Sequence, residues 1–96
     1  MSKVLQGDAL QQAAKKIDTA WSVIPGKGLI RIVETDSYGE GFMLVAAIAE
    51  LAEAKNHHPD LTLKYGEVEI TLYSHDANGI TDRDITMAGL IDKLLD

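Results

Sequence analysis

The sequence contains no cysteine, which excludes several kinds of site at once. A disulfide framework, a zinc–thiolate centre and a thiol nucleophile all require this residue. Hydrophobic residues make up 46% of the chain and charged residues 25%, ordinary values that argue against a disordered, collagen-like or coiled-coil protein. At 96 residues the chain is long enough for one hydrophobic core but too short for two. We therefore expect a single compact domain that spans residues 1–96.

Long hydrophobic runs and clusters of basic residues are also absent. The longest apolar run, residues 42–49, is far shorter than the ~20 residues that span a bilayer, and residues 1–6 lack the apolar region of a signal peptide. The nine Lys and Arg residues are scattered, and the net charge of −6 repels phosphate backbones and anionic lipids. These absences predict a cytoplasmic protein that binds neither nucleic acid nor membrane directly.

The first and the last third of the chain each contain an amphipathic helical pattern. Asp8 followed by Gln11 has the spacing of a capping box, which predicts a first helix from about Ala9 to Asp18. Thr81 is a favourable N-cap for a final helix. The apolar residues of this final helix recur at helical spacing and are Ile85, Ala88, Ile91 and Leu95.

A central helix is predicted in the middle of the chain. Ser37 followed by Glu40 forms a second capping-box pattern at its start. The apolar surface that follows is wide, which favours a helix covered from more than one side, by a sheet and by another subunit. Pro59 is predicted to end the helix, because proline disfavours the helical conformation at His58. The neighbouring histidines therefore lie where this helix gives way to a loop.

Four stretches have the composition of β-strands, arranged as two hairpins. They are Trp21–Ile24, Leu29–Val33, Leu61–Tyr65 and Glu67–His75. The resulting order is α-β-β-α-β-β-α, which predicts an α+β fold with a four-stranded antiparallel sheet and three helices packed on one face. A regular fourth strand would place His75 on the side opposite its apolar row, unless a bulge or the strand's end redirects it.

All three histidines of the chain, His57, His58 and His75, lie within nineteen residues, and Glu53 lies one helical turn before His57. Because histidine titrates near neutrality, this grouping indicates an acid–base site. A zinc site is the alternative, since three imidazoles and a carboxylate are suitable ligands. Structural roles are also open: histidines favour helix C-termini, and Asp84 falls at the third position of the last helix, where a carboxylate caps the helix.

The spacing of seven residues is more specific than the histidine pair alone. The series is Glu53, His57, His58, Pro59, Tyr65, His75 and Asp84, separated by three, zero, zero, five, nine and eight residues. This series resembles the active-site signature of the pterin-4a-carbinolamine dehydratases, small proteins also known as dimerisation cofactors of a hepatocyte transcription factor. The resemblance runs without a gap from Glu53 to Asp84.

The resemblance implies a hydro-lyase that dehydrates 4a-hydroxytetrahydropterin to the quinonoid dihydropterin and so helps to recycle the tetrahydropterin cofactor of aromatic amino-acid hydroxylases. It implies that the three histidines surround the pterin, with neither a metal nor an organic cofactor. Our hypothesis is that His57 and His75 transfer protons and His58 holds the ring. Glu53 and Asp84 would then set the orientation and charge of the histidines.

The resemblance also implies supporting positions and partners. Pro59 turns the chain, and Tyr65 serves as a site wall or packing residue. Relatives commonly form homodimers whose sheets join edge to edge, so we expect a dimer or a tetramer. Some relatives act instead as binding or assembly proteins, which is the alternative function for this chain. Family members commonly have Thr before the third histidine, where this sequence has Ser74.

Overall fold

The computed structural model describes residues 3–96 and contains the seven elements in the predicted order. The helices are α1 (Gly7–Ala14), α2 (Tyr38–Lys55) and α3 (Asp82–Leu95). The strands are β1 (Ser22–Ile24), β2 (Gly28–Glu34), β3 (Asp60–Lys64) and β4 (Glu67–Leu72). The predicted α+β class is confirmed. Within residues 3–96, no helix is both long enough and apolar enough to cross a bilayer.

The four strands form one antiparallel sheet in the order β1-β2-β4-β3. The central pair is β2 and β4, in which Leu29 lies opposite Leu72 and Val33 opposite Val68. Strands β1 and β3 form the two edges. Within residues 3–96, no further strand pairs with the outer backbone groups of these edge strands.

The two faces of the sheet differ because the strands alternate in polarity. Val68, Ile70 and Leu72 of β4 are fully buried beneath the helices, together with Leu29 of β2. The opposite face carries exposed residues, among them Ile32 of β2. This one-sided burial is what the alternating pattern of the sequence predicts.

Two glycines allow the close packing of this core. Gly28 has φ of +122°, and a Cβ atom there would lie 2.2 Å from the carbonyl oxygen of Leu72 on the neighbouring strand. Gly41 lies in α2, where a Cβ atom would approach Leu63 Cδ1 to 2.8 Å and Val68 Cγ2 to 3.4 Å. A side chain at Gly41 would therefore push α2 away from the sheet.

The predicted start of α1 was wrong. The helix spans Gly7–Ala14 rather than Ala9–Asp18, and its N-cap is Gln6, which makes no side-chain capping bond. The Asp8–Gln11 capping box is therefore absent, because the chain enters the helix two residues before the predicted start. Asp8 lies instead within the first turn, where its carboxylate interacts favourably with the helix dipole.

The predicted N-terminus of α2 was correct, but the predicted cause of its C-terminus was wrong. Ser37 caps the helix by accepting a hydrogen bond from the Glu40 backbone N–H, whereas the Glu40 carboxylate accepts from Asp36 rather than completing the box. The helix ends at Lys55 because Asn56 adopts a left-handed conformation, with φ of 52°. Pro59 lies four residues beyond that end and is not its cause.

A polar cluster joins α3 to β2 and to the segment after α1. Asp92 Oδ1 accepts hydrogen bonds from Trp21 Nε1 at 2.7 Å and Arg31 Nη1 at 2.6 Å. Its other oxygen, Oδ2, accepts from the Asp18 backbone N–H at 2.9 Å. Because the Arg31 and Asp92 side chains are largely removed from solvent, these contacts are stronger than an exposed ion pair.

Replacing Asp92 with alanine would leave these three donors without their acceptor. We expect Asp92→Ala to lower the free energy of unfolding by about 2–4 kcal/mol, because one of the donors is a largely buried guanidinium. The control is Glu50→Ala on the exposed side of α2, which should change it by no more than about 0.5 kcal/mol. Chemical denaturation at one fixed protein concentration measures the free energy of unfolding of both variants and of the native protein. An Asp92→Ala variant as stable as the native protein would contradict the prediction.

Candidate active site

His57 lies two residues beyond the last residue of α2. The backbone N–H groups of Asn56 and His57 both donate to the carbonyl oxygen of Ala52, at 3.2 Å for His57. The left-handed Asn56 and its bond to Ala52 form an αL C-cap, and the His57 bond to the same carbonyl is the one that also occurs in a Schellman motif. After this turn the His57 side chain reaches α3 and is only 12% exposed.

Asp84 holds the His57 ring from the start of α3. His57 Nε2 lies 2.6 Å from Asp84 Oδ1, and the Asp84 side chain is completely buried. Asp84 is also the third residue of α3, where it forms the predicted capping box with Thr81. One carboxylate therefore both caps a helix and fixes the orientation of a histidine.

The second oxygen of Asp84 has its own partners. Oδ2 accepts from the backbone N–H of Thr81 at 2.9 Å and from Ser74 Oγ at 2.9 Å. Ser74 Oγ lies 2.8 Å from Thr81 Oγ1, which in turn accepts from the Arg83 backbone N–H at 3.2 Å. A buried carboxylate with all of these partners is satisfied only in a narrow geometry.

His58 has a different and more exposed partner. Its Nε2 lies 2.5 Å from Glu53 Oε2, with the two side chains 56% and 77% exposed. The sequence spacing favoured a pair between Glu53 and His57, but the turn at Asn56 carries His57 inward and leaves Glu53 to His58. Because both groups face solvent, this pair contributes little to stability.

His75 begins the turn that follows β4. The strand ends at Leu72, Ser74 is buried, and His75 is exposed. The Tyr73 and His75 rings meet edge to face with centroids 5.0 Å apart, and the Tyr73 hydroxyl donates to Asn78 Oδ1 at 3.2 Å. The inward Ser74 places His75 one residue from the group that binds Asp84.

An ion pair connects this turn to the first turn of α3. Arg83 Nη2 donates to Asp76 Oδ1 at 2.6 Å. This hydrogen bond lowers the pKa of the Asp76 carboxyl below its ordinary value of 3.8, and it raises the pKa of Arg83. The pair links the residue after His75 to the residue before Asp84.

A cleft of 180 Å³ opens beside His57. Its wall consists of Lys55, His57, Asp82, Arg83, Thr86, Met87 and Leu90. A larger cleft of 490 Å³ lies on the other side of the 75–78 turn, between that turn, the N-terminal segment and the β1–β2 turn. The wall of the larger cleft has no histidine or charged side chain, whereas the smaller cleft has His57 in its wall.

Two of the residues predicted for the site lie apart from its centre. Tyr65 is 85% exposed in the β3–β4 turn, at the far end of β3 from the histidine pair, a strand length of roughly 16 Å. Pro59 is partly buried between His58 and the start of β3. The structure therefore pairs His57 with Asp84 and His58 with Glu53. His75 is the residue after Ser74, which contacts Asp84, and Tyr65 lies outside this group of residues.

The structure adds Ser74, which the sequence interpretation did not assign to the site. The available signal was the alternation of β4: Ser74 continues the buried row of Val68, Ile70 and Leu72, so a polar side chain was due to enter the core. Buried hydroxyls need partners, and Asp84 supplies one. In the part of the chain that the structure describes, no three His, Asp or Glu residues group in a way that could hold a metal ion.

Comparison with known proteins gives one consistent family. The family profile described as "Pterin 4 alpha carbinolamine dehydratase" matches residues 3–94. A relative from Chloroflexus aggregans, which bears the provisional name pterin-4-alpha-carbinolamine dehydratase, is 32% identical over 95 residues, 99% of each chain. A relative from Natronomonas pharaonis with the same provisional name is 39% identical over 94 residues, 98% of each chain.

The fold has a similar solved structure. A crystal structure of a protein from Brucella melitensis, described as a transcriptional coactivator/pterin dehydratase, matches with a TM-score of 0.86. The match covers 96% of this chain and 98% of the other, at 28% identity. The sequence relatives and the structural neighbour thus match nearly the whole chain, and all of them have names that refer to pterin dehydratases.

The Asp76–Arg83 pair predicts a measurable titration. The Asp76 pKa lies below 3.8 because Arg83 donates to the carboxylate, so Arg83→Met should move it up toward 3.8. Any stability from this pair is present above pH 4 or so and is lost as the pH falls through the Asp76 pKa. Carboxyl chemical shifts followed by NMR give the midpoint, with Asp60 as an exposed reference. Identical Asp76 curves in both proteins would contradict the assignment.

Proposed function

This chain belongs to the pterin-4-alpha-carbinolamine dehydratase family, and we propose from that membership that it dehydrates a 4a-hydroxytetrahydropterin to the quinonoid dihydropterin. The observation that carries the proposal is the hydrogen bond between His57 and the buried Asp84. A histidine oriented by a buried carboxylate is a common arrangement for general acid–base catalysis. Two of the residues with the family spacing, His57 and Asp84, therefore form an arrangement suited to the family's chemistry.

The reaction requires one acid and one base. The hydroxyl on carbon 4a leaves as water after an acid protonates it, and N5 loses its proton to a base as the C4a–N5 double bond forms. Both steps are proton transfers, so neither a metal nor an organic cofactor is needed. Histidines positioned for such transfers contribute roughly 10²–10⁴-fold.

His57 and His75 are the proposed proton carriers. His57 is held by Asp84 through Nε2. The other ring nitrogen, Nδ1, has no hydrogen-bond partner within residues 3–96 and is not completely buried, so a substrate can approach it. The His75 side chain is exposed and makes no hydrogen bond to any of the same residues, so both of its ring nitrogens are available. His58, paired with Glu53, is proposed to hold the ring rather than transfer protons.

The product would return to a reductase and the substrate would come from a hydroxylase. A 4a-hydroxytetrahydropterin arises when the two oxygen atoms of O2 are divided, one going to an aromatic ring and the other remaining on the tetrahydropterin as its 4a-hydroxyl. The proposed role is therefore the recycling of a tetrahydropterin cofactor. Its support is the family of the chain, together with the site geometry described above.

Association with other chains is a second proposed property, favoured by a separate observation. Helix α2 is apolar on nearly all sides, and one chain leaves part of that apolar surface exposed. The exposed residues are Tyr38 at 53%, Phe42 at 59% and Met43 at 68%. In the described part of the chain, strands β1 and β3 are also the unpaired edges of the sheet. The Brucella neighbour is described as a transcriptional coactivator as well as a dehydratase. These features support a homodimer or tetramer, and a partner-binding role is the alternative to catalysis.

The catalytic proposal is tested by stopped-flow dehydration of freshly generated 4a-hydroxytetrahydropterin. We expect the native protein to accelerate formation of the quinonoid product, and His57→Ala and His75→Ala to lower kcat by roughly 10²–10³-fold because each loses a proton carrier. The control Glu50→Ala should keep native activity. No acceleration by folded protein would favour the binding alternative, and full turnover in both histidine variants would refute their assignment.

The association proposal predicts a mass greater than that of one chain in sedimentation equilibrium. Phe42→Asp should lower the average mass, because it places a charge on the exposed apolar part of α2. The Glu50→Ala variant of the same helix serves as the matched control and should keep the native mass. A native protein that sediments as a single chain at all concentrations would refute the proposal.

A further inference from the structure

Ser74 has a specific place in the hydrogen bonding around Asp84. It is 1% exposed, and its hydroxyl lies between Asp84 Oδ2 at 2.9 Å and Thr81 Oγ1 at 2.8 Å. No substrate group can reach it directly at that burial. Any effect of Ser74 on a reaction must therefore pass through Asp84 to His57.

The directions of these hydrogen bonds follow from the number of hydrogens. The ionised Asp84 carboxylate only accepts, so the single hydrogen of Ser74 goes to Oδ2 and the Thr81 hydroxyl donates to Ser74. Thr81 Oγ1 in turn accepts from the Arg83 backbone N–H. The chain of donors therefore runs in one direction, from the backbone of α3 to the carboxylate, and its bonds reinforce one another.

This direction also fixes the role of each His57 nitrogen. Since Asp84 accepts at both oxygens, His57 Nε2 carries a hydrogen and donates it to Oδ1 at 2.6 Å. Nδ1 is then the atom that can exchange a proton with a substrate. The Asp84 carboxylate can keep the His57 ring in this orientation only while the plane of the carboxylate is fixed. The two hydrogen bonds to Oδ2, from Thr81 and Ser74, fix that plane.

We propose that Ser74 is a positioning residue that holds the Asp84 carboxylate so that His57 donates from Nε2 and presents Nδ1 to the substrate. The consequence for turnover rests on the proposed dehydratase function, whereas the consequence for the His57 hydrogen bond does not. Without Ser74, the Thr81 backbone N–H would be the one donor left at Oδ2, and the carboxylate plane would be held less firmly against His57. The Ser74 hydroxyl supplies the second contact that prevents this.

The test combines Ser74→Ala with Ser74→Thr, which restores the hydroxyl and has the residue common in the resembled family. We expect Ser74→Ala to lower kcat about tenfold with KM within about twofold, since misorientation of a proton carrier acts on the chemical step. Ser74→Thr should recover most of the loss. Thr35→Val is the matched control, because it deletes a buried hydroxyl that has no partner within residues 3–96.

A spectroscopic readout separates positioning from activity. In ¹⁵N-labelled native protein, His57 Nε2–H should give a downfield, slowly exchanging resonance, assigned by its absence in His57→Ala. It should broaden or vanish in Ser74→Ala and persist in Ser74→Thr and Thr35→Val. Since this signal can be sought in the native protein, the proposal remains testable if Ser74→Ala does not fold.

The outcomes distinguish the two proposals. Loss of the resonance and of kcat in Ser74→Ala, both restored by Ser74→Thr, supports the positioning role. An unchanged resonance in Ser74→Ala, or no protected His57 resonance in the native protein, overturns it whatever the activity. A resonance that depends on Ser74 in a native protein without dehydratase activity refutes the proposed function and leaves the positioning role standing.

Discussion

The buried carboxylate of Asp84 is the constraint on which the site depends. A fully buried charge is tolerated only where donors surround it, and here the donors come from three places in the chain: His57 after α2, Ser74 after β4 and Thr81 at the start of α3. Loss of any one donor leaves a charge under-satisfied in the core. The ends of these elements are therefore held together by electrostatics as much as by apolar packing.

The fold provides the place where these ends can meet. With β4 in the centre of the sheet, its last residues emerge beneath the helices, and the short turn that follows leads directly into α3. Close approach of α2 to the sheet at Gly41 brings the helix down onto the same core. The chain then leaves α2 through Asn56, whose left-handed conformation turns His57 toward α3. The geometry of the candidate site is in this sense a consequence of tight two-layer packing.

The sequence predicted the elements well because their signals are periodic. Alternation in β4 and the caps at Ser37 and Thr81 are local patterns, and the structure confirms them. The errors occurred where a single backbone conformation decides the outcome. Nothing in the periodicity shows that Asn56 adopts positive φ, and that one conformation ended α2 before Pro59 and exchanged the expected partner of Glu53. Side-chain pairing across 27 residues, as between His57 and Asp84, depends on tertiary packing that spacing alone does not encode.

The two adjacent histidines show how strongly environment can divide similar residues. His57 is 12% exposed against a completely buried carboxylate, whereas His58 is 56% exposed against a carboxylate that is itself 77% exposed. Water screens the His58 pair and allows both side chains to change rotamer, so that pair can adapt to a bound ring. The His57 pair is shielded and anchored by two further bonds on Asp84, so its ring keeps one orientation. A proton carrier benefits from fixed geometry and a ring-holding residue from adaptability, and this difference between the two environments is the reason for proposing proton transfer at His57 and substrate contact at His58.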